Sequence, residues 1–155
     1  LEFTSRVGYP TISIQMEGVL NQWGEFLCRI ANNEKPELRV KRGFQIGVVI
    51  AIPPFPYKDK KESYTYRDLS IIFKKPNTEG IHLGDVKIIN NTWRVAGNSG
   101  YVLVVTGSGP TVEETQEQVY RRIENIFLQN MFYRTDIGSK WKTDGDRLHT
   151  WGYLY

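Results

Sequence analysis

The first seven residues place an acid, a hydroxyl and a base on one face of a predicted strand. Residues 1–7 read LEFTSRV, in which Glu2, Thr4 and Arg6 alternate with mostly apolar positions. Because successive strand side chains point to opposite faces, these three share a face. Carboxylate and hydroxyl oxygens suit Mg²⁺, which usually shares its coordination with substrate phosphates, and Arg6 could brace a phosphoryl group. The same spacing fits an edge strand with solvated Glu2 and Arg6, and spacing alone favours that alternative.

A second candidate is the glycine-rich segment 107–109, which joins a predicted strand at 101–106 to a predicted helix from 111 to about 127. Thr111 and Glu114 have the spacing of a capping box, which marks the start of the helix. Backbone N–H groups at a helix N-terminus can hold an anion. A tight strand-to-helix turn would use the same glycines, and we favour the turn because Pro110 removes one N–H.

Other polar residues are weaker candidates. Arg134 and Asp136 are expected to form a structural pair near a domain interface, or alternatively to face a ligand. His82 is expected to be a hydrogen-bonding residue of a turn rather than a catalytic base. The two histidines and Cys28 are too scattered to indicate a zinc site, and Cys28 is expected on the buried side of a helix.

The elements that must position these residues are predicted from hydrophobic spacing. A continuous β-branched run predicts a buried strand at 44–52. Shorter strands are predicted at 69–73, 86–90 and 93–96, the last two joined in a hairpin around Asn91-Thr92. Residues 57–66 are predicted to be a loop and 80–85 a turn-rich connection. Five or six antiparallel strands with two helices indicate an α+β fold.

The two predicted helices each carry one apolar face. The first spans residues 12–31, and its predicted buried face is Met16, Val19, Leu20, Trp23, Phe26, Leu27 and Ile30. The second, from 111 to about 127, is predicted to bury Val112, Thr115, Val119, Ile123, Ile126 and Phe127.

Composition limits the classes of function. The chain has 155 residues, a formal charge of +3 and one cysteine. These values predict one domain, or one domain and part of another, in a reducing, cytoplasmic compartment. The charge is too small to indicate nucleic acid, and no apolar run is long enough to predict a membrane span. The chain opens on Leu1-Glu2-Phe3 without an initiator methionine or a signal peptide, which suggests a truncated start.

Several motifs together resemble one family of enzymes. The run LEFTSRVGYPT at residues 1–11 is similar to a family motif with Leu-Glu-Phe-Asn, then Arg and Gly-Asp-Pro-Glu. Further similarity lies in the strand at 42–51, the turn at 82–85, the turn and strand at 97–103, and the segment 101–138, which closes on FYRTDIG. In this order the motifs resemble the C-terminal part of the phosphoribosylamine–glycine ligase (glycinamide ribonucleotide synthetase) family, in the ATP-grasp superfamily.

The resemblance implies a C-terminal fragment of an ATP-dependent carboxylate–amine ligase of purine biosynthesis. Such a ligase makes glycinamide ribonucleotide from phosphoribosylamine, glycine and ATP. By the resemblance, Glu2 and Thr4 hold Mg²⁺ or Mn²⁺, and Arg6 faces the transferring phosphate. The implied partners are small-molecule substrates and an upstream ATP-grasp domain of the same protein, with no nucleic acid and no membrane.

The resemblance also implies a division of the chain. Residues 1–40 would be the last strand and helix of the ATP-grasp catalytic domain. Residues 41–140 would form a small antiparallel sheet or barrel-sandwich hybrid-like domain, and 141–155 an aromatic C-terminal tail. Because the nucleotide-binding elements would lie upstream of Leu1, we expect the 155-residue chain alone to be inactive.

Departures from the family motif leave two alternatives open. Thr4 stands where the family has Asn, Tyr9 where it has Asp, and Thr11 where it has Glu. A threonine hydroxyl can bind magnesium but reaches less far than an amide, and Tyr9 removes a charge from the substrate side. The protein is therefore either a working ligase, a non-catalytic binding or structural relative, or an ATP-grasp ligase with a different acid or amine substrate.

Overall fold

The computed structural model describes residues 8, 10–57 and 60–153. The predicted magnesium strand at 1–7, with Glu2, Thr4 and Arg6, lies outside the described residues, as does Tyr9. Within the described part of the chain, no helix is both long enough and apolar enough to cross a membrane.

Five helices and seven strands form in these described residues. The helices are α1 (Thr11–Gly18), α2 (Trp23–Ala31), α3 (Lys60–Thr65), α4 (Val112–Ile123) and α5 (Trp141–Thr150). The strands are β1 (Phe44–Ala51), β2 (Ile72–Phe73), β3 (Ile81–Leu83), β4 (Val86–Ile89), β5 (Thr92–Val95), β6 (Tyr101–Gly109) and β7 (Ile126–Phe127). Three small antiparallel sheets result, with orders β1-β6-β3, β2-β7 and β4-β5. The α+β class is confirmed, although there are more helices than the two predicted.

Strands β1 and β6 form the centre of the fold. They pair antiparallel, with Phe44 opposite Gly109 and Ile50 opposite Leu103. Their β-branched and aliphatic side chains make up much of the buried core, which explains why the predicted strand at 44–52 is so continuously apolar. Strand β6 runs three residues further than the predicted 101–106 and includes the glycine-rich segment.

Helix α4 packs on this sheet through the face that its spacing predicts. Val112, Thr115, Val119 and Ile123 are buried. The helix ends at Ile123, so the prediction that it continues to about 127 is wrong. Residues 126–127 instead pair antiparallel with β2 and form strand β7. As expected for a strand, Ile126 is buried while Phe127 is exposed, so the prediction that Phe127 is buried is wrong.

The predicted single helix at 12–31 is broken into α1 and α2. Val19 is extended and forms a β-bridge with Val40. Its neighbours are tied to the same segment, since Leu20 N donates to Arg39 O at 2.9 Å and Lys41 N donates to Gly18 O at 2.7 Å. These β-type bonds to residues 39–41 interrupt the helix.

The break also changes which side chains are buried. Met16, Leu20, Leu27 and Ile30, all predicted to be buried, are about half exposed, and α2 has no buried residue. The expectation that Cys28 is buried is wrong as well, because it lies on this uncovered helix.

The remaining elements modify the predicted loops. The β4-β5 hairpin is confirmed, but its turn lies at Asn90-Asn91, one residue earlier than predicted, and both asparagines have positive φ as a type I′ turn requires. The predicted loop at 57–66 contains α3, and the turn-rich connection at 80–85 contains β3. The strand predicted at 69–73 is reduced to β2 and a bridge at Ser70. The barrel-sandwich description and the domain boundaries stay predictions.

Candidate functional site

Helix α1 lies directly on the central sheet, immediately after the predicted magnesium motif. The chain passes from Pro10 into α1 at Thr11. A Cβ atom at Gly47 of β1 would lie 2.7 Å from Ile14 Cγ1 and 3.4 Å from Pro10 Cβ. The glycine in β1 therefore allows Pro10 and the first turn of α1 to approach the strand closely.

A buried carboxylate fastens the other end of α1. Glu17 is 8% exposed, and three donors from other segments surround it. Its Oε1 accepts hydrogen bonds from Lys41 Nζ and Ser108 Oγ, both at 2.9 Å, and its Oε2 accepts one from Thr106 Oγ1 at 2.8 Å. Arg122 Nη1 lies 3.6 Å from Oε2. Together, Glu17, Lys41, Thr106, Ser108 and Arg122 are called the Glu17 cluster below.

The Glu17 cluster determines the charge state of its carboxylate. Burial by itself raises the pKa of Glu17, but the hydrogen bonds from Lys41, Thr106 and Ser108 and the charge of Lys41 outweigh it, so the pKa lies below its ordinary value of 4.5. Glu17 is therefore ionised near neutral pH. Because its oxygens are already occupied by donors, it is suited to holding α1 in place rather than to accepting a substrate proton.

Thr106 and Arg122 connect the cluster to strand β3 and the loop before it. Arg122 Nη1 donates to Thr106 O at 2.6 Å, and its Nη2 pairs with Glu79. His82 Nε2 lies 2.9 Å from Thr106 Oγ1. The single hydroxyl proton of Thr106 is directed to Glu17, so His82 must donate through Nε2–H. Burial lowers the pKa of His82, with the charge of Glu17 opposing and that of Arg122 adding to the effect, which keeps the imidazole neutral.

The glycine-rich segment does not form an anion-binding nest or a tight turn. Gly107 and Gly109 are strand residues of β6, opposite Ile46 and Phe44. A Cβ atom at Gly107 would lie 3.1 Å from the Val119 backbone nitrogen, so the glycines are needed where α4 packs on the strand. The N–H of the residue between them, Ser108, already donates to a side-chain amide oxygen at 2.8 Å.

Arg134 and Asp136 form the side-chain pair that the structural alternative predicts. Arg134 Nε and Nη2 donate to the two carboxylate oxygens of Asp136 at 2.9 and 2.6 Å, and both side chains are exposed. The hydroxyl of Tyr120 donates to Arg134 O at 3.0 Å and accepts from Ile137 N at 3.2 Å. The Tyr120 hydroxyl therefore ties the segment after β7 to helix α4.

A basic cavity of about 480 Å³ lies at the C-terminal end of α4. Lys74, Lys75, Arg121 and Arg122 line it, together with Glu79 and Glu124. Lys74 Nζ donates to the Glu124 carbonyl oxygen at 2.7 Å. Cations at a helix C-terminus stabilise its unpaired carbonyl groups, which accounts for Lys74 in the cavity without a ligand.

The structure therefore brings together residues that the sequence analysis did not group. No group of three or more histidine, cysteine, aspartate and glutamate side chains in the described part of the chain could hold a metal, so the metal prediction depends on residues 1–7. The Glu17 cluster was missed because its members are up to 105 positions apart. The one available signal was Glu17 itself, a lone charge beside Gly18 in an otherwise uncharged stretch.

Comparison with known proteins shows which family this chain resembles. Residues 45–140 match the family described as phosphoribosylglycinamide synthetase, C domain. The phosphoribosylamine–glycine ligase of Streptococcus pneumoniae strain R6 is 26% identical over 141 residues, covering 90% of this chain and 32% of the relative. The Corynebacterium ammoniagenes ligase of the same name is 30% identical over 146 residues, covering 89% and 32%.

A solved structure of a protein with the same name as these relatives also matches the chain. The crystal structure of phosphoribosylamine–glycine ligase from Thermotoga maritima superposes with a TM-score of 0.65 at 25% identity, covering 88% of this chain and 32% of that one. The chain thus spans about a third of the length of the curated relatives it matches. Since the family match extends over more than half of its residues, the chain belongs to the phosphoribosylglycinamide synthetase C-domain family.

Proposed function

We propose that this chain is the C-terminal part of an ATP-dependent ligase that joins glycine to phosphoribosylamine in purine biosynthesis. The observation that carries the proposal is the family match at 45–140, extended by relatives named phosphoribosylamine–glycine ligase that align with 90% of the chain. In this reaction ATP phosphorylates the glycine carboxylate. The amine of phosphoribosylamine then attacks the acyl phosphate, giving glycinamide ribonucleotide, ADP and phosphate. The single cysteine suits a cytoplasmic enzyme.

The chemical groups of this chain that would act in the reaction lie in residues 1–7. Glu2 and Thr4 supply a carboxylate and a hydroxyl, which fit the preference of Mg²⁺ or Mn²⁺ for oxygen ligands. A bound ion would neutralise charge on the phosphates of ATP. Arg6 would donate hydrogen bonds to the phosphoryl group during transfer.

An upstream ATP-grasp domain is the second part of the proposal. Helix α2 has nine residues and none of them is buried, while Leu27 and Ile30 are about half exposed. A helix of this length is marginal in water without tertiary packing. We therefore assign residues 1–40 to the catalytic domain, whose upstream residues would cover this apolar face. Residues 41–140 would form the C domain.

The tail is proposed to belong with the C domain. The Trp141 ring at the start of α5 packs edge-on against Phe44 of β1, with 4.9 Å between ring centroids. This contact supports α5 as an addition to the 41–140 domain, with residues 151–155 following it.

The test is a ligation assay on the full-length protein that contains this chain. Formation of ADP and glycinamide ribonucleotide is measured with ATP, phosphoribosylamine and either glycine or other small carboxylates. We expect ligation with glycine by the wild type. The double variant Thr4→Asn with Tyr9→Asp restores the family residues and serves as the matched reference. The 155-residue chain alone is expected to give no turnover. Glycine-dependent ATP hydrolysis by this chain would contradict the proposal that the nucleotide-binding elements lie in an upstream domain.

The two substitutions favour specific alternatives. Thr4 shortens a metal ligand and Tyr9 removes a charge, so a non-catalytic relative would show no ligation until both are reverted. A ligase with a different acid or amine substrate would instead turn over ATP only with a carboxylate or amine other than glycine or phosphoribosylamine. With other amines also offered in place of phosphoribosylamine, the same assay distinguishes all three.

A further inference from the structure

We infer that Glu17 is a positioning residue, which fixes α1, the helix that follows the proposed metal ligands in sequence, against the 41–140 segment. The inference rests on the proposed function. Glu17 reaches from the segment assigned to the catalytic domain to four residues of the 41–140 segment. Its partners are Lys41 at the proposed boundary, Thr106 and Ser108 on β6, and Arg122 on α4.

Polar contacts dominate the attachment of the C-terminal end of α1. The buried residues of α1 are Ser13, Glu17 and Gly18, none of which is a large apolar side chain. A Cβ atom at Gly18 would lie 3.0 Å from the side-chain oxygen of Gln45, so the C-terminal turn of α1 also sits close to β1. Burial of apolar surface therefore contributes little at this end of the helix, and the buried charge determines where the helix sits.

The geometry explains why a charge is used here. Apolar contacts tolerate sliding, whereas a carboxylate with a donor on each oxygen is satisfied in only one position. Arg122 is 14% exposed and is itself held by Thr106 O, so the cluster is anchored in the folded sheet and not in solvent. Loss of Glu17 would free α1 to shift while β1, β6 and α4 stay folded. A displacement of about 1 Å in a catalytic group can lower a rate about 100-fold.

The first experiment uses the 155-residue chain and does not depend on catalysis. Amide hydrogen exchange is measured in wild type, Glu17→Gln and the control Glu25→Gln, whose side chain lies on the exposed surface of α2. In Glu17→Gln we expect protection of amides 15–19 to fall roughly tenfold or more while β1 amides keep theirs, because α1 opens locally. Equal loss in α1 and β1, or no loss, would overturn the inference. Ser108→Ala removes a single donor and provides a milder variant if Glu17→Gln does not fold.

The second experiment uses the full-length protein. Glycine ligation is measured against magnesium concentration, at a temperature at which the variants are folded. We expect kcat of Glu17→Gln to fall roughly 10- to 100-fold with a higher magnesium requirement, and Glu25→Gln to match wild type. Wild-type kcat and magnesium dependence in Glu17→Gln would overturn the positioning role. An inactive wild type would overturn the proposed function and that role together, while hydrogen exchange would still decide whether Glu17 holds α1.

Discussion

Replacing Gly107 by alanine should separate the packing role of the glycine-rich segment from an anion-binding role. A Cβ atom at Gly107 would lie 3.1 Å from Thr115 O and 3.1 Å from both Val119 N and Val119 Cβ. Two of these contacts are with the backbone of α4, which cannot rotate away as a side chain can. Thr115 and Val119 are also fully buried, so the added methyl group must push the helix off the sheet.

The size of the effect follows from this geometry. Ordinary carbon contacts lie at about 3.5–4.0 Å, so α4 must withdraw by roughly half an ångström. Adding a methyl group to a well-packed interface typically costs about 1–3 kcal/mol. For a chain of this size, each kcal/mol lowers the unfolding midpoint by about 2–4 °C, so we expect a decrease of about 2–12 °C.

Thermal unfolding of the 155-residue chain, followed by circular dichroism, measures this decrease. Gly24→Ala is the matched control, because no atom lies within 4 Å of its new methyl group and the helical site favours alanine. Equal midpoints for Gly107→Ala and Gly24→Ala would refute the packing argument. Inorganic phosphate that raises the wild-type midpoint but not that of a fully stable Gly107→Ala would instead support an anion site.

Three further predictions concern single hydrogen-bonding groups. Burial lowers the pKa of His82 below 6.5, so the unfolded chain binds the proton more readily and stability is lost as pH falls from 6.5 through the folded pKa. His82→Gln should reduce this slope in urea unfolding between about pH 7 and 5, and an unchanged slope would contradict the assignment. Thr111→Ala should lower the free energy of unfolding by about 1 kcal/mol, whereas Thr111→Ser should retain the cap; equal stability of the two variants would argue against capping. Tyr120→Phe should cost about 1–3 kcal/mol in urea unfolding, since it leaves Arg134 O and Ile137 N without their partner, and wild-type stability would show that water replaces the hydroxyl.

Local patterns predicted much of the central fold. The runs at 44–52 and 101–106 are apolar and β-branched, and they form the buried β1–β6 pair. The capping residue and the spacing of Val112, Thr115, Val119 and Ile123 predicted the buried face of α4. In each of these segments a single pattern of apolar residues extends over many positions and agrees with the burial found in the fold.

The errors occur where a distant segment overrides the local pattern. Helical spacing continues through Val19, but hydrogen bonds with residues 39–41 extend the chain there. Ile126 continues the apolar stripe of α4, but pairing with Phe73 makes it a strand residue. The Gly107 turn prediction failed for the same reason, because the strand pairing with β1 continues to Gly109. In each case a segment distant in sequence determines the secondary structure, and the local pattern gives no information about that segment.

From the sequence alone, a candidate site could be proposed only where its residues lie close together in the chain, and that proposal stays a prediction. Glu2, Thr4 and Arg6 follow a period of two and could be grouped from the chain alone. Glu17 and Arg122 meet only after β6 and α4 have packed, so sequence spacing contained no information about their contact.

The Glu17 cluster bears on whether the protein is a working ligase. The C-domain core would be retained in an active or an inactive relative alike, since a fold does not determine activity. A buried ionic cluster differs, because well-packed apolar residues in its place are often neutral or stabilising. A relative that needed only a stable fold would gain little from burying Glu17 beside Lys41 and Arg122. On the proposed function, a ligase would need such a contact to hold α1 in one position on the β1–β6 sheet. Ligation by the full-length wild type, despite Thr4 and Tyr9, tests whether the cluster serves that role.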